Sequence, residues 1–200
     1  MDYAPSGAVV NVTLWPDFPD QPDFVHQSAL FLSENNSLDS DTTLYAVFFG
    51  INDFGLSLVD GDNLPQSAAD LIVLIQVLAT APTNAKNILV LDDYGRGTHT
   101  PTGDAWKQAV FDGLSTLRAE DLNVAFVDFA PLWDAVMGTS PGFAAFGYET
   151  IGPCIPTATQ TNLSGECSTP LNSFYWLPGH SSKETHRIMA DYVDFVLANC

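Results

Sequence analysis

From Leu44 onward, short apolar runs alternate with stretches whose apolar positions recur every three or four residues. That order predicts strand, helix, strand, helix, strand, helix, the pattern of a parallel sheet with helices on its faces. "LYAVFFG" (44–50), "NILVLDD" (87–93) and "NVAFVDFA" (123–130) read as buried strands. "LPQSAADLIVLIQVLAT" follows Asp62 and Asn63 as capping candidates, carries Pro65 in its first turn and is apolar nearly all round, which predicts a well-buried helix. Ala105, Trp106, Ala109, Val110, Leu114 and Leu117 define an amphipathic helix within "DAWKQAVFDGLSTLRAE", and a short helix is expected over 132–137. At the end, Ser181 stands three residues before Glu184 as a capping box, ahead of an apolar face made by Ile188, Met189, Tyr192, Val193 and Val196. Before Leu44 the pattern is weaker: "YAPSGAVV" suggests a short strand, "FVHQSALFLS" a helix, and 35–43 a polar loop. The irregular stretch 138–170, rich in Gly and Pro, is a candidate functional loop.

A chain of 200 residues is expected to fold as a single domain over 1–200. Hydrophobic residues at 46% and charged ones at 15% fit a globular protein, and the longest apolar run, around 71–79, is too short to cross a bilayer. Twenty-four acidic residues against 6 basic ones give a net charge of −18, which opposes nucleic acid and anionic lipid alike. Neither nucleic acid nor membrane is an expected partner. The carboxylates are scattered, as in a solvated acidic coat, with no calcium-loop spacing.

Cys154, Cys167 and Cys200 form no CxxC pair, which argues against zinc. Cys154 and Cys167 bracket "CIPTATQTNLSGEC", and a disulfide closing that loop would stabilise by roughly 3 kcal/mol. Cys200 is then left over. Sequons at Asn11, Asn35 and Asn162 point the same way, to glycosylation in an oxidising, extracellular setting. The opening "MDYAPSGAVV" has neither the basic start nor the apolar centre of a signal peptide, so either the protein is not secreted or Met1 is not its natural start.

In open parallel sheets the ligand site lies beyond the carboxyl ends of the strands. That rule selects Gly50, Asn52 and Asp53 after one strand, Asp92, Asp93 and Tyr94 after the next, and Asp128 after the last. A neutral amide such as that of Asn52 can stabilise a developing oxyanion, although Asn and Asp after a strand are commonly turn residues. In "FYWLPGHSSKETH", His180 sits in a Pro-Gly turn where an imidazole can exchange protons, flanked by Tyr175 and Trp176. His186 reads as structural; the two histidines do not match a helical zinc pattern. Gly7 in "YAPSGA" allows close backbone approach or a turn.

In chain order, "YAPSGA", "FFGINDFG" and "GHSSKETHRIMADYV" resemble the second, third and fifth sequence blocks of the SGNH hydrolases, the GDSL lipase and esterase family, closest to its secreted fungal-type carbohydrate acetylesterases. The Gly-x-Asn-Asp block is the most specific. The resemblance implies a three-layer α/β/α sandwich on a flavodoxin-like parallel sheet, and an ester hydrolase that needs neither cofactor nor metal. It implies backbone and side-chain oxyanion donors at Gly7 and Asn52, a general base at His180 and a bracing role for Asp53; beside these, Tyr94, Tyr175 and Trp176 are candidate contacts for a sugar or acyl ligand. The expected partner is a small-molecule or carbohydrate ester, and the expected state a monomer.

The family's first block, a Gly-Asp-Ser motif carrying the nucleophile at the end of the first strand, has no counterpart here; Met1 falls just before the second block. The expectation is therefore an N-terminally truncated domain, inactive alone, whose sheet lacks the strand between the segment near Gly7 and the strand ending at Gly50. Where the family places an aspartate three residues before the histidine, this chain has Leu177, which leaves a dyad oriented by a backbone carbonyl, or an inactive binding module for a sugar or acyl ligand. Ser6, Ser181 and Ser182 lack the strand-turn-helix setting of a nucleophile.

Overall fold

The structure, a computed structural model, describes residues 2–36, 38–120, 122–157 and 164–199. The fold is of the mixed α/β class, and the chain divides into two compact units, residues 1–128 and 129–200.

The first unit holds a parallel sheet ordered β1-β2-β3, formed by Leu44–Phe48, Asn87–Asp92 and Asn123–Asp128. Leu44 aligns with Asn87, and Asn87 in turn with Asn123, so the carboxyl ends of the strands lie level. Central β2 buries Ile88, Leu89 and Val90, whereas edge strand β1 buries only Val47 and leaves Leu44, Ala46 and Phe48 exposed. The run of 44–50 thus departs from the expected buried strand, because β1 pairs on one side alone.

Helix α1, Phe24–Ser33, coincides with the predicted segment and starts where the Asp23 carboxylate accepts the His26 N–H at 2.8 Å. Helix α2, Ile51–Asp60, follows β1 directly through Gly50, where a turn was expected. Helix α3, Leu64–Ala79, matches its pattern in length but buries one face through Leu64, Leu71, Ile75 and Leu78, leaving Val73 and Val77 exposed. Its start is also unlike the expected cap: the Asn63 side chain donates to Leu14 O at 2.8 Å and not to the helix. Helix α4, Pro101–Ala119, begins earlier than its apolar periodicity, since Thr100 caps it by accepting the Gly103 N–H and Pro101 suits the first turn. The predicted strand near Gly7 reduces to a single bridge between Val9 and Asp23.

The second unit comprises α5 (Ala130–Met137), a 3-10 turn (Phe143–Phe146), β4 (Thr150–Pro153), β5 (Ser173–Leu177), β6 (His180–Ser181) and α6 (Lys183–Ala198). Its sheet runs β4-β5-β6, parallel between β4 and β5 and antiparallel between β5 and β6. Phe174 centres the core, with Trp133 and Tyr148 edge-on at 5.2 and 5.4 Å. Cys154 and Cys167 are joined by a disulfide. Helix α6 is capped by Ser182, whose hydroxyl accepts the Thr185 N–H at 3.2 Å; the cap is one residue beyond the expected Ser181 because Ser181 belongs to β6. Among the described residues, no helix is long and apolar enough to cross a membrane.

Candidate active site

Two glycines shape the end of β1 and the segment it meets. Gly50, at φ 112°, turns the chain from β1 into α2 with so little room that a Cβ there would lie 2.5 Å from the Trp106 ring. Gly7, at φ 82°, makes the corresponding turn in the N-terminal segment. Asn52, second residue of α2, is partly buried and donates its side-chain amide to Ala8 O at 2.8 Å, one residue beyond Gly7. An amide nitrogen has two hydrogens, so this bond fixes the group while leaving one donor unspent.

Asp53 holds the same two segments together from beneath. Its fully buried carboxylate accepts the Val10 N–H at 3.1 Å and the Ser67 hydroxyl at 2.7 Å, joining the N-terminal segment to α2 and α3. Burial raises its pKa, while the Ser67 and Val10 bonds act in the opposite direction. Ser67 escaped the sequence reading because a bond across fourteen residues leaves no local pattern.

At the ends of β2 and β3 lies a carboxylate cluster. Asp92 and Asp93 are almost wholly buried, and both oxygens of Asp92 and Oδ1 of Asp93 make no hydrogen bond. Burial and the Asp128 charge push Asp92 up to about 7. Burial and the Asp92 charge push Asp93 up to about 8, so the pair holds protons near neutrality. Lys107, which the sequence reading passed over, bonds Asp128 at 2.9 Å. Burial, the largest single influence, lowers the lysine, but Asp128, Asp92 and Asp104 together act the other way and the net shift is upward. Among the described residues, no group of three His, Cys, Asp or Glu side chains is placed to hold a metal ion.

Tyr94 is 3% exposed; its hydroxyl donates to Asp104 at 2.5 Å and accepts the Thr100 N–H, and its ring packs edge-on to Phe54. It is a core residue of the first unit.

In the second unit, His180 opens β6 opposite Leu177 and is exposed. Its Nδ1 lies 2.9 Å from Pro178 O; a carbonyl only accepts, so Nδ1 carries the proton and Nε2 is the basic nitrogen. Tyr175 and Trp176 are half-buried on β5, and the Tyr175 hydroxyl accepts from Trp133 Nε1 at 2.9 Å. Of the sequons, Asn11 spends its amide on Asp70 at 2.7 Å and its carbonyl on the Thr13 N–H, Asn35 lies just beyond α1 at φ 50°, and Asn162 falls outside the described residues, as does Cys200.

The structure therefore brings Gly7, Asn52 and Asp53 into one neighbourhood of the first unit, while His180, Tyr175 and Trp176 share the β5–β6 hairpin of the second. No protein-family model matches the chain, and no curated protein matches it.

Proposed function

We propose that the chain carries the oxyanion-stabilising and proton-transferring parts of a GDSL-type ester hydrolase on an SGNH fold, acting outside the cell on an acylated small molecule or carbohydrate. The observation that supports this most is the Asn52 amide held on Ala8 O one residue from Gly7, a preorganised donor beside a strand end. The chain-order parallel run β1-β2-β3 also fits the last three positions of a 2-1-3-4-5 sheet. In the proposed reaction His180 Nε2 takes the proton of a serine hydroxyl as that oxygen attacks the acyl carbonyl. The Pro178 carbonyl holds the ring in the required tautomer in place of a carboxylate, and the Asn52 amide with the Gly7 N–H stabilises the oxyanion. As that intermediate collapses, the alcohol leaves with the proton held by His180; water, deprotonated in turn by His180 Nε2, then attacks the acyl-enzyme and releases the carboxylic acid, restoring the serine hydroxyl.

The serine is assigned to no residue of this chain. Phe49, Asp93 and Phe129 are what follow the three parallel strands. That observation favours a second reading, an inactive module that retains sugar or acyl binding. The test is p-nitrophenyl acetate hydrolysis by the folded chain joined to a strand ending in Gly-Asp-Ser. Turnover above buffer is expected, falling about 10²- to 10³-fold in Asn52→Ala. A folded fusion no faster than buffer removes the esterase reading; calorimetric titration of the chain with acetylated oligosaccharide then decides whether the binding reading stands.

A further inference from the structure

The carboxyl end of β2 carries two aspartates that the proposed hydrolysis does not use. Asp92 is 1% and Asp93 3% exposed, and Asp92 Oδ1, Asp92 Oδ2 and Asp93 Oδ1 make no hydrogen bond. A buried carboxylate without partners is costly, so the neutral acid is the form this site suits. The charged groups that act on the pair all belong to the first unit: Asp128 at the end of β3, Asp104 and Lys107 on α4, and Arg96 in the loop between β2 and α4. His99, in the same loop, lies 3.6 Å from Asp104. Carboxylates outnumber cations in this group, and Lys107 is already bonded to Asp128.

Being paired with β1 on one side and β3 on the other, β2 cannot yield to a change of charge at its end. The chain that follows it can. Arg96 N–H donates to Asp93 O at 3.2 Å, and the Tyr94 hydroxyl joins Asp104 to the Thr100 N–H. The Tyr94 ring lies so close beneath α4 that a Cβ on Gly103 would meet it at 2.0 Å, and three residues further on Trp106 rests its ring on Gly50. The opening of α4 thus connects the surroundings of the two aspartates to the start of α2, where Asn52 is held on Ala8 O.

We propose that Asp92 and Asp93 form a proton-operated latch: while protonated they let the 94–100 loop and the first turn of α4 close on the end of β2, seating Trp106 on Gly50 and Asn52 on Ala8, and on losing their protons they lift that turn and loosen α2. Ionisation sets two negative charges beside Asp128 and Asp104 in a water-excluded place, and water is admitted only where the covering loop and helix turn give way. Burial and the Asp128 charge raise Asp92 to about 7, and burial and the Asp92 charge raise Asp93 to about 8, so the latch is closed in acid and opens as the pH rises through these values. Tyr94, pushed up to about 12 by burial and its bond to Asp104, keeps its proton throughout, and Asp104, held below the usual carboxylate range chiefly by that same hydroxyl, stays charged; neither is the trigger. His99 is the competing trigger, since an imidazole also changes charge near neutrality. The latch stands on the buried pair alone; that it governs an oxyanion donor rests on the esterase reading.

The test follows the intact chain by nuclear magnetic resonance from about pH 5 to about pH 9, reading the carboxyl carbons of Asp92 and Asp93, the Trp106 indole N–H and the Asn52 side-chain amide, with far-ultraviolet circular dichroism to show that the helices persist. The carboxyl carbons are expected to titrate well above the ordinary aspartate range, with Trp106 and Asn52 displaced over the same interval. Replacing the pair together, Asp92→Asn with Asp93→Asn, should abolish the displacement of Trp106 and Asn52, whereas His99→Gln should leave it in place. Carboxyl carbons that titrate in the ordinary range would overturn the proposal without recourse to any variant. So would Trp106 and Asn52 resonances that stay fixed while the pair titrates or that move only as the helical signal is lost, a displacement that survives in the double variant, or one that disappears in His99→Gln. None of these measurements reads hydrolysis, so a failed latch leaves the esterase reading standing, and an inactive fusion leaves the latch standing.

Discussion

At the residue scale, the neighbourhood of Asn52 depends on atoms that are missing as much as on those present. Gly50 combines a left-handed backbone with the Trp106 ring against its Cα, and both features penalise any side chain. Gly50→Ala is expected to destabilise by about 2–4 kcal/mol, the sum of a left-handed backbone cost and an overpacked contact. Urea unfolding followed by tryptophan fluorescence checks this; a loss below about 1 kcal/mol would mean that α2 re-seats easily, and the Asn52 amide with it. This position was legible only in part. "FFGIND" marks a strand end with a polar residue placed for chemistry, but nothing in those letters discloses that Trp106, more than fifty residues on, closes the space over Gly50. The anchoring of Asn52 on Ala8 O and of Asp53 on Ser67 was equally hidden, since both bonds join residues distant in the chain.

Among the elements, those with a full apolar period were readable: α1, α3, α4, α6 and the three strands of the parallel sheet all fall on their predicted runs. Helix α2 was not, because Gly-Ile-Asn-Asp begins it with turn-forming residues and no side chain caps it. The signals that remained were Asp53 in the first turn and Ile51, Phe54 and Leu58 at helical spacing. Strands β4 and β6 were invisible for another reason. At four and two residues they are too short to show alternation, and they exist through pairing with β5. The same unit depends on the Cys154–Cys167 bridge, which closes a thirteen-residue separation beside β4. Replacing both cysteines with serine should cost roughly 3 kcal/mol through the entropy returned to the unfolded chain. Thermal unfolding of the double variant against the oxidised chain measures it, and no change in midpoint would place the stability of this unit elsewhere.

For the molecule as a whole, the governing fact is an excess of carboxylates, two of which are buried together. Asp92 and Asp93 have folded-state pKa values raised to about 7 and about 8, above the ordinary aspartate range they recover on unfolding. The folded chain therefore holds protons that the unfolded chain has released. The stability they contribute is complete below about pH 4 and is lost as the pH rises through 7 and 8, by about 1.4 kcal/mol per pH unit for each proton retained. Asp53, also raised by burial, acts in the same sense, and protonation of the acidic coat relieves repulsion within a chain of charge −18. Opposing them are Asp104, lowered chiefly by the Tyr94 hydroxyl, and Glu184, lowered chiefly by Arg187, whose contributions vanish as the pH falls through their depressed values. These two sets cross in mildly acid solution, so the urea midpoint should be highest near pH 5 and decline toward pH 8. Asp93→Asn removes one of the titrating groups while keeping its shape, and should flatten that decline by raising the midpoint at pH 8 more than at pH 5. A midpoint that instead climbed steadily from pH 5 to 8 in both proteins would mean that the buried pair is ionised in the folded chain, with a compensating cation that these residues do not supply.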